Sequence, residues 1–271
     1  MNILFWSPLC GHGATTSNMT CMAIMSSLLY RYRTVSFQSG FSNNYLDQTF
    51  LGDRRNISVV NEETACYSGK GIDDVMNGIE LNIYARGEME ASFVEIVKGL
   101  NYYIPSTRSS ESVFNENMIM NLPVLLKSCA DRFDITFIDH QGSSKEISDM
   151  LFENADLCVI NLNQNPELIH YAKTQFEKIN CKSPVMYIIG RYDESNYYTV
   201  KSIASQFNIT RRDIGVIPYN SEFMDAVLSG HTKEFLRENL GCSRRSFNYN
   251  FMLEVQGVTR KLLIKAGMIN G

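Results

Sequence analysis

The stretch that most constrains this chain runs from Ile3 to Asn18, where the apolar segment Ile-Leu-Phe-Trp meets Ser7-Pro-Leu-Cys-Gly-His-Gly-Ala-Thr-Thr-Ser-Asn18. An apolar strand, a glycine-rich turn and a helix start make an anion cradle, because the turn's N–H groups face the anion and the helix N-terminus adds its dipole. Gly11 and Gly13 supply the φ > 0 and close-approach geometry, and Thr15 and Thr16 stand where a hydroxyl reaches a metal ion. Phosphate-binding loops of this shape place a lysine just after the last glycine; here that residue is Ala14. A charge-assisted hydrogen bond contributes about 1.5–3 kcal/mol, so alanine weakens phosphate binding by roughly one to two decades. The rate suffers further if the lost charge also stabilised a transferring phosphoryl group. The plain alternative is a strand-to-helix loop, with glycines for the turn and Ser/Thr for the cap.

The rest of the sequence alternates strand and helix patterns, which predicts an α/β, three-layer fold: a mostly parallel twisted sheet with helices on both faces. Strands are expected at Ile3–Ser7, Thr34–Gln38, Asn101–Pro105, Phe133–Asp139, Leu157–Asn161, Val185–Ile189 and Ile214–Ile217. Helices are expected over Thr15–Tyr32, from Ile72, over Glu90–Lys98 and Ser112–Asp131, and from Pro166 and Asn196. No linker or repeat divides the chain, so residues 1–271 read as one domain.

Composition fits a folded chain of reducing surroundings. The hydrophobic fraction is 44% against 20% charged residues, which excludes a disordered chain. Seven cysteines form no C-x-x-C pair and read as reduced core thiols. Neither a signal peptide nor an 18-residue apolar span is visible, and a cytoplasmic location is expected. The net charge of −4 argues against a general polyanion surface, so DNA is not expected as a partner. Four scattered histidines lack ligand spacing, although His12 and His140 are expected near one another across the loop.

Phe133-Asp-Ile-Thr-Phe-Ile-Asp139 is apolar in the manner of a central strand buried on both faces, and ends in a carboxylate at the sheet edge where ligands of such folds bind. Asp139 is the candidate catalytic residue, placed to hold a water of a hydrated Mg²⁺ together with Thr15, or else to cap a turn; Asp134 reads as a strand-start residue. With the loop, with Ala155-Asp-Leu-Cys-Val-Ile-Asn161, and with Val185-Met-Tyr-Ile-Ile-Gly-Arg191 followed by Ile214-Gly-Val-Ile-Pro-Tyr219, it makes residues 1 to about 238 resemble the ParA/MinD family of deviant-Walker P-loop ATPases. The family loop K-G-G-x-G-K-T-T falls on Leu9, Cys10, Gly11, His12, Gly13, Ala14, Thr15 and Thr16, so both lysines are absent. The family's I-D-x-D-P-Q-G-N run falls within Val35-Ser-Phe-Gln-Ser-Gly-Phe-Ser-Asn-Asn44, with Gln38 and Gly40 in place of its aspartates, and Gly190 replaces the asparagine that reads adenine.

The resemblance implies ATP or ADP with Mg²⁺ as ligand, weakly held or lost, cradled by residues 11–16. It places the base on Arg191, Pro218 and Tyr219. It also implies a homodimer with protein partners, acting as a positioning or scaffold factor. Within the family the atypical loop is most similar to TadZ-type proteins that localise pilus and secretion assemblies. Alternatives are an ATPase that draws its positive charge from Lys145, Arg191 or a partner, and a DNA-partition ATPase. Residues 240–271 carry apolar residues at helical spacing, including Phe251, Val255, Val258 and Leu262, with basic ones between. They read as a final helix packed on the sheet, the other possibility being a peripheral membrane contact.

Overall fold

The computed structural model describes residues 1–9, 11–41, 45–52, 71–80, 93–104, 110–140, 142 and 144–270. An eight-stranded sheet forms the centre, built from β1 (Asn2–Trp6), β2 (Thr34–Gln38), β3 (Val94–Val97), β4 (Leu100–Tyr102), β5 (Ile135–His140), β6 (Leu157–Leu162), β7 (Val185–Tyr192) and β8 (Ile214–Pro218). Their order is β3-β4-β2-β5-β1-β6-β7-β8, with the β3–β4 pair antiparallel and the other pairs parallel. Such an arrangement buries the middle strands on both faces, and β2, β5 and β6 are buried at every position.

Helices cover both faces. One face packs α1 (Thr15–Tyr30), α2 (Tyr45–Leu51), α8 (Ser221–Ser229), α9 (Thr232–Asn239) and α10 (Tyr249–Lys265) around Met19, Phe50, Phe223, Phe235 and Phe251. The other packs α3 (Ile72–Glu80), α4 (Glu111–Arg132), α5 (Lys145–Asn154), α6 (Pro166–Phe176) and α7 (Val200–Phe207) around Phe114, Met118, Leu151, Ile169 and Ile203. Phe251, Val255, Val258 and Leu262 of α10 are all buried in the first core, so the apolar stripe of the last helix faces the sheet. No helix among the described residues is long and apolar enough to cross a membrane.

Helix α1 is unlike an ordinary surface helix. Nearly all of its first thirteen residues are buried, and its apolar residues show no single stripe, as expected of a helix enclosed by protein on all sides. It ends at Tyr30, not Tyr32, because Arg31 turns into the left-handed region at φ 58° and its N–H closes on the Ser27 carbonyl.

Two expectations need correction. The described part of the segment expected as helix Glu90–Lys98 is a strand, Val94–Val97, joined to β4 by a tight turn through Lys98 and Gly99 (φ 92°). Its β-branched run and Lys-Gly turn outweigh the helical spacing. Helix α7 begins at Val200, because Asp193 and Asn196 instead cap turns, accepting from the N–H groups of Ser195 and Tyr198. The fold also joins two thiols that no sequence spacing linked: Cys158 Sγ lies 3.2 Å from Cys181 Sγ. Contact with the buried Cys158 thiol holds Cys181 down to about 7.

Candidate functional site

The glycine loop leaves the end of β1 at the edge where Asp139 ends the neighbouring strand, with Phe5 opposite Asp139 in register. Its glycines divide the work. Gly11 takes the left-handed conformation, at φ 80°. Gly13 has an ordinary φ but no room, since a Cβ there would lie 2.6 Å from both the Asn161 carbonyl oxygen and Ser7 Oγ. Substituting Gly13 by alanine is therefore expected to destabilise the protein by about 1–3 kcal/mol through overpacking, read as a drop in denaturation midpoint. An unchanged midpoint would show that the loop rests on its support less tightly than this.

Ala14 is the N-cap of α1 and lies at φ 53°, ψ 31°, left-handed space that a residue with a Cβ enters at a cost of about 1 kcal/mol. The helix start has no side-chain cap and no acidic residue in its first turn. The Asn18 N–H donates to the Ala14 carbonyl and closes the first turn, and the helix end before it carries the partial positive charge of the helix dipole.

Beneath the loop a buried amide network fixes its position. Asn18 Nδ2 donates to the Gly13 carbonyl (3.3 Å) and to Asn161 Oδ1 (2.9 Å), and Asn161 Nδ2 donates to the Trp6 and Val159 carbonyls. Thr16 Oγ1 donates to Asp139 Oδ2 at 2.8 Å, with Asp139 wholly buried. The threonine expected beside Asp139 was Thr15; the one bonded to it is Thr16. Thr15 is mostly buried and lines the cavity, and its hydroxyl has no hydrogen-bond partner among the described residues.

Behind Asp139, His140 is held on both sides: Nδ1 pairs with Ser39 Oγ (2.8 Å) and Nε2 with Ser148 Oγ (3.1 Å). Burial pushes its pKa down to about 4, so the imidazole is neutral. Gln38 lies opposite Asp139 in register and donates through Nε2 to the Gly40 carbonyl. A neutral amide suits this place. With no lysine at position 14, a second buried carboxylate beside Asp139 would lack a compensating cation.

The loop opens on a cavity of about 260 Å³. Gly11, Ala14, Thr15, Thr16 and Ser17 form its floor, Gln48 and Thr49 of α2 and Met224, Val227 and Leu228 of α8 form walls, and Arg191 completes it. Two contacts hold the walls together. Gln48 Nε2 donates to the Leu228 carbonyl, and the backbones of Gly52 and Gly230 touch. Arg191, Pro218 and Tyr219 also meet in an adjoining crease with Ala14, Ser17 and Asn18.

No family model and no curated protein matches the sequence, but solved structures do match the fold. A ParA family ATPase from Chlorobium tepidum superposes with a TM-score of 0.69 at 16% identity, covering 96% of this chain and 98% of that one. The septum site-determining protein MinD of Pyrococcus horikoshii, complexed with Mg-ADP, gives 0.70 at 11% identity, covering 99% and 98%. The fold is that of the ParA/MinD ATPases. A plasmid partition protein of Borrelia burgdorferi bound to AMPPNP gives 0.64 at 12% identity, covering 97% and 98%.

Within this ParA/MinD fold the residues anticipated for the site separate into groups. Gly11, Ala14, Thr15, Thr16 and Arg191 share the cavity, and Arg191 also joins Pro218 and Tyr219 at the crease. Gly13 faces inward as support, and Asp139 stands behind Thr16. Leu9 and His12 turn the other way, into a groove along α6 with Pro166, His170 and Tyr171. His12 and His140 are not paired, since His140 is engaged by Ser39 and Ser148. Lys145, a candidate source of charge, is the first residue of α5 and does not line the cavity. Cys10, residues 42–44, Gln141 and Ser143 lie outside the described residues. No group of three or more His, Cys, Asp or Glu side chains suited to a metal occurs among those described.

Sequence reasoning missed Asn18, Asn161, the α2 wall and the Ser39–His140–Ser148 chain. Asn161 had a signal: an amide inside an otherwise apolar strand is retained only where it is hydrogen-bonded. The α2 wall had none, being brought to the loop from a distant part of the chain, whereas the resemblance already set Phe223–Gly230, the α8 wall, on the base side of the site.

Proposed function

We propose that this protein is a ParA/MinD-type positioning or scaffold factor whose nucleotide site keeps its cradle and has lost the charges needed for fast hydrolysis. The observation that carries the reading is Ala14: it stands at the lysine position in left-handed conformation, against Gly190, whose Cβ would lie 2.9 Å from that of Ala14. Around it the anion-binding parts persist, namely the uncapped helix start, the unpartnered Thr15 hydroxyl and the cavity.

These residues fit the phosphate end of ATP or ADP, with Thr15 and Asp139 as the groups that would face Mg²⁺, either directly or through water. They fit hydrolysis poorly, because Gln38 and Gly40 stand where the family has aspartates, and Thr16 already occupies one Asp139 oxygen. When bound, the nucleotide would supply an assembly signal, with the loop amides holding its phosphates and Pro218 and Tyr219 its base side. The partners are proteins of a pilus or secretion assembly of the TadZ type, met as a homodimer from the cytoplasmic side. The apolar stripe of α10 is used in the core, which weighs against a membrane anchor there.

Calorimetric titration with Mg²⁺ and ATP or ADP, with oligomeric state followed in parallel, tests the reading. Dissociation constants weaker than about 100 μM, near −5.5 kcal/mol, are expected, without steady-state phosphate release. Phosphate release that disappears in Thr15→Ala would make the protein an active ATPase. Silence up to millimolar nucleotide would leave a scaffold without a ligand.

A further inference from the structure

We propose that Arg191 is the cation of this site, gripping the phosphate oxygens of a nucleotide from β7 where a loop lysine is absent; the proposal rests on the nucleotide reading above. Arg191 is the sole charged side chain among the described residues that line the 260 Å³ cavity, which it shares with Gly11, Ala14, Thr15 and Thr16. It makes no ion pair and donates no side-chain hydrogen bond among the described residues, so its five donors are open to a ligand.

The backbone is bent to deliver it. Arg191 lies at φ 51°, a left-handed conformation unusual for a residue with a long side chain, and this occurs where the β7–β8 register shifts between Ile189 and Tyr192. A strand irregularity at a sheet edge re-aims a side chain, and strained residues of this kind gather at ligand clamps. Gly190 sets the distance. Its missing Cβ lets β7 close against Ala14 and Asn18, which brings the arginine's main chain alongside the loop. The unpartnered Thr15 hydroxyl and the uncapped N-terminus of α1 face the same cavity, so cation, hydroxyl and amides converge on one volume. A guanidinium fork grips phosphate oxygens two at a time, which a lysine cannot do.

The competing role for Arg191 is stacking on the base, and the ligand series separates the two. The full chain and its Arg191→Gln and Arg191→Lys variants would be titrated with ADP, inorganic pyrophosphate and adenosine, after checking that all three proteins melt alike. Arg191→Gln is expected to weaken ADP and pyrophosphate about 10- to 100-fold and to leave adenosine unchanged, with Arg191→Lys between. Unchanged pyrophosphate and ADP affinity in Arg191→Gln, or an equal loss for adenosine, overturns the assignment while the nucleotide reading stands. If the wild-type chain binds neither ADP nor pyrophosphate, the nucleotide reading itself falls.

Discussion

Gly230→Ala should destabilise the protein by about 2–4 kcal/mol, the sum of roughly 1–3 for overpacking and about 1 for a side chain at φ > 0. Gly230 closes α8 at φ 75°, and a Cβ there would sit 2.1 Å from Gly52 Cα and 2.2 Å from Gly52 N. Backbone cannot yield as a flexible side chain does, so α2 and α8 must part. These helices are the two walls of the cavity, and the Gln48 to Leu228 bond beside them would open as they separate. A loss of ligand affinity should therefore accompany the lower melting temperature. Gly241→Ala is the control, because Gly241 shares the positive φ (81°) but faces open space. It should lose only about 1 kcal/mol. Equal losses at the two positions would show that conformational freedom alone, and not the helix contact, makes glycine necessary at 230.

Acid should remove about 3 kcal/mol of stability as the pH falls from 6.5 to 4, through His140. Buried neutral between Ser39 and Ser148, this imidazole titrates near 4 in the folded protein and near 6.5 when unfolded. Between those values the unfolded chain binds the extra proton, so stability is full above 6.5, declines as the pH falls and levels off below about 4. A difference of one pKa unit corresponds to about 1.36 kcal/mol. Denaturant unfolding at a series of pH values measures the slope, and His140→Gln should flatten it over this window. Parallel curves for wild type and variant would assign the acid sensitivity to other groups.

Much of the fold was legible because its signals are local. A strand that must be buried on both faces has to be apolar throughout, and β1, β5, β6 and β7 announced themselves that way, as did the glycine loop between β1 and α1. The segment around Val94 misled because Phe93, Val94, Ile96 and Val97 fall at i, i+1, i+3 and i+4, a helical spacing, while the β-branched content of the same residues favours a strand. Only the turn at Lys98-Gly99 and the adjacent β4 decide between them. The candidate site was half legible. Residues next to one another in the loop could be read as a unit, whereas the convergence of Gln48, Arg191 and Leu228 depends on how widely separated elements pack in the sheet. That Thr16 donates to Asp139 while Thr15 faces the cavity was also hidden, because two adjacent threonines in the first turn of a helix read alike until their directions are seen.

The contact between Gly190 and α1 couples two positions far apart in the sequence. An asparagine at 190 would begin with a Cβ 2.9 Å from Ala14 Cβ and from Asn18 Nδ2. Position 18 cannot be trimmed to make room without cost, since its amide supports the Gly13 carbonyl and Asn161. A side chain at the end of β7 and the amide seated under the loop thus compete for one space, and the loop keeps its support because position 190 has no Cβ.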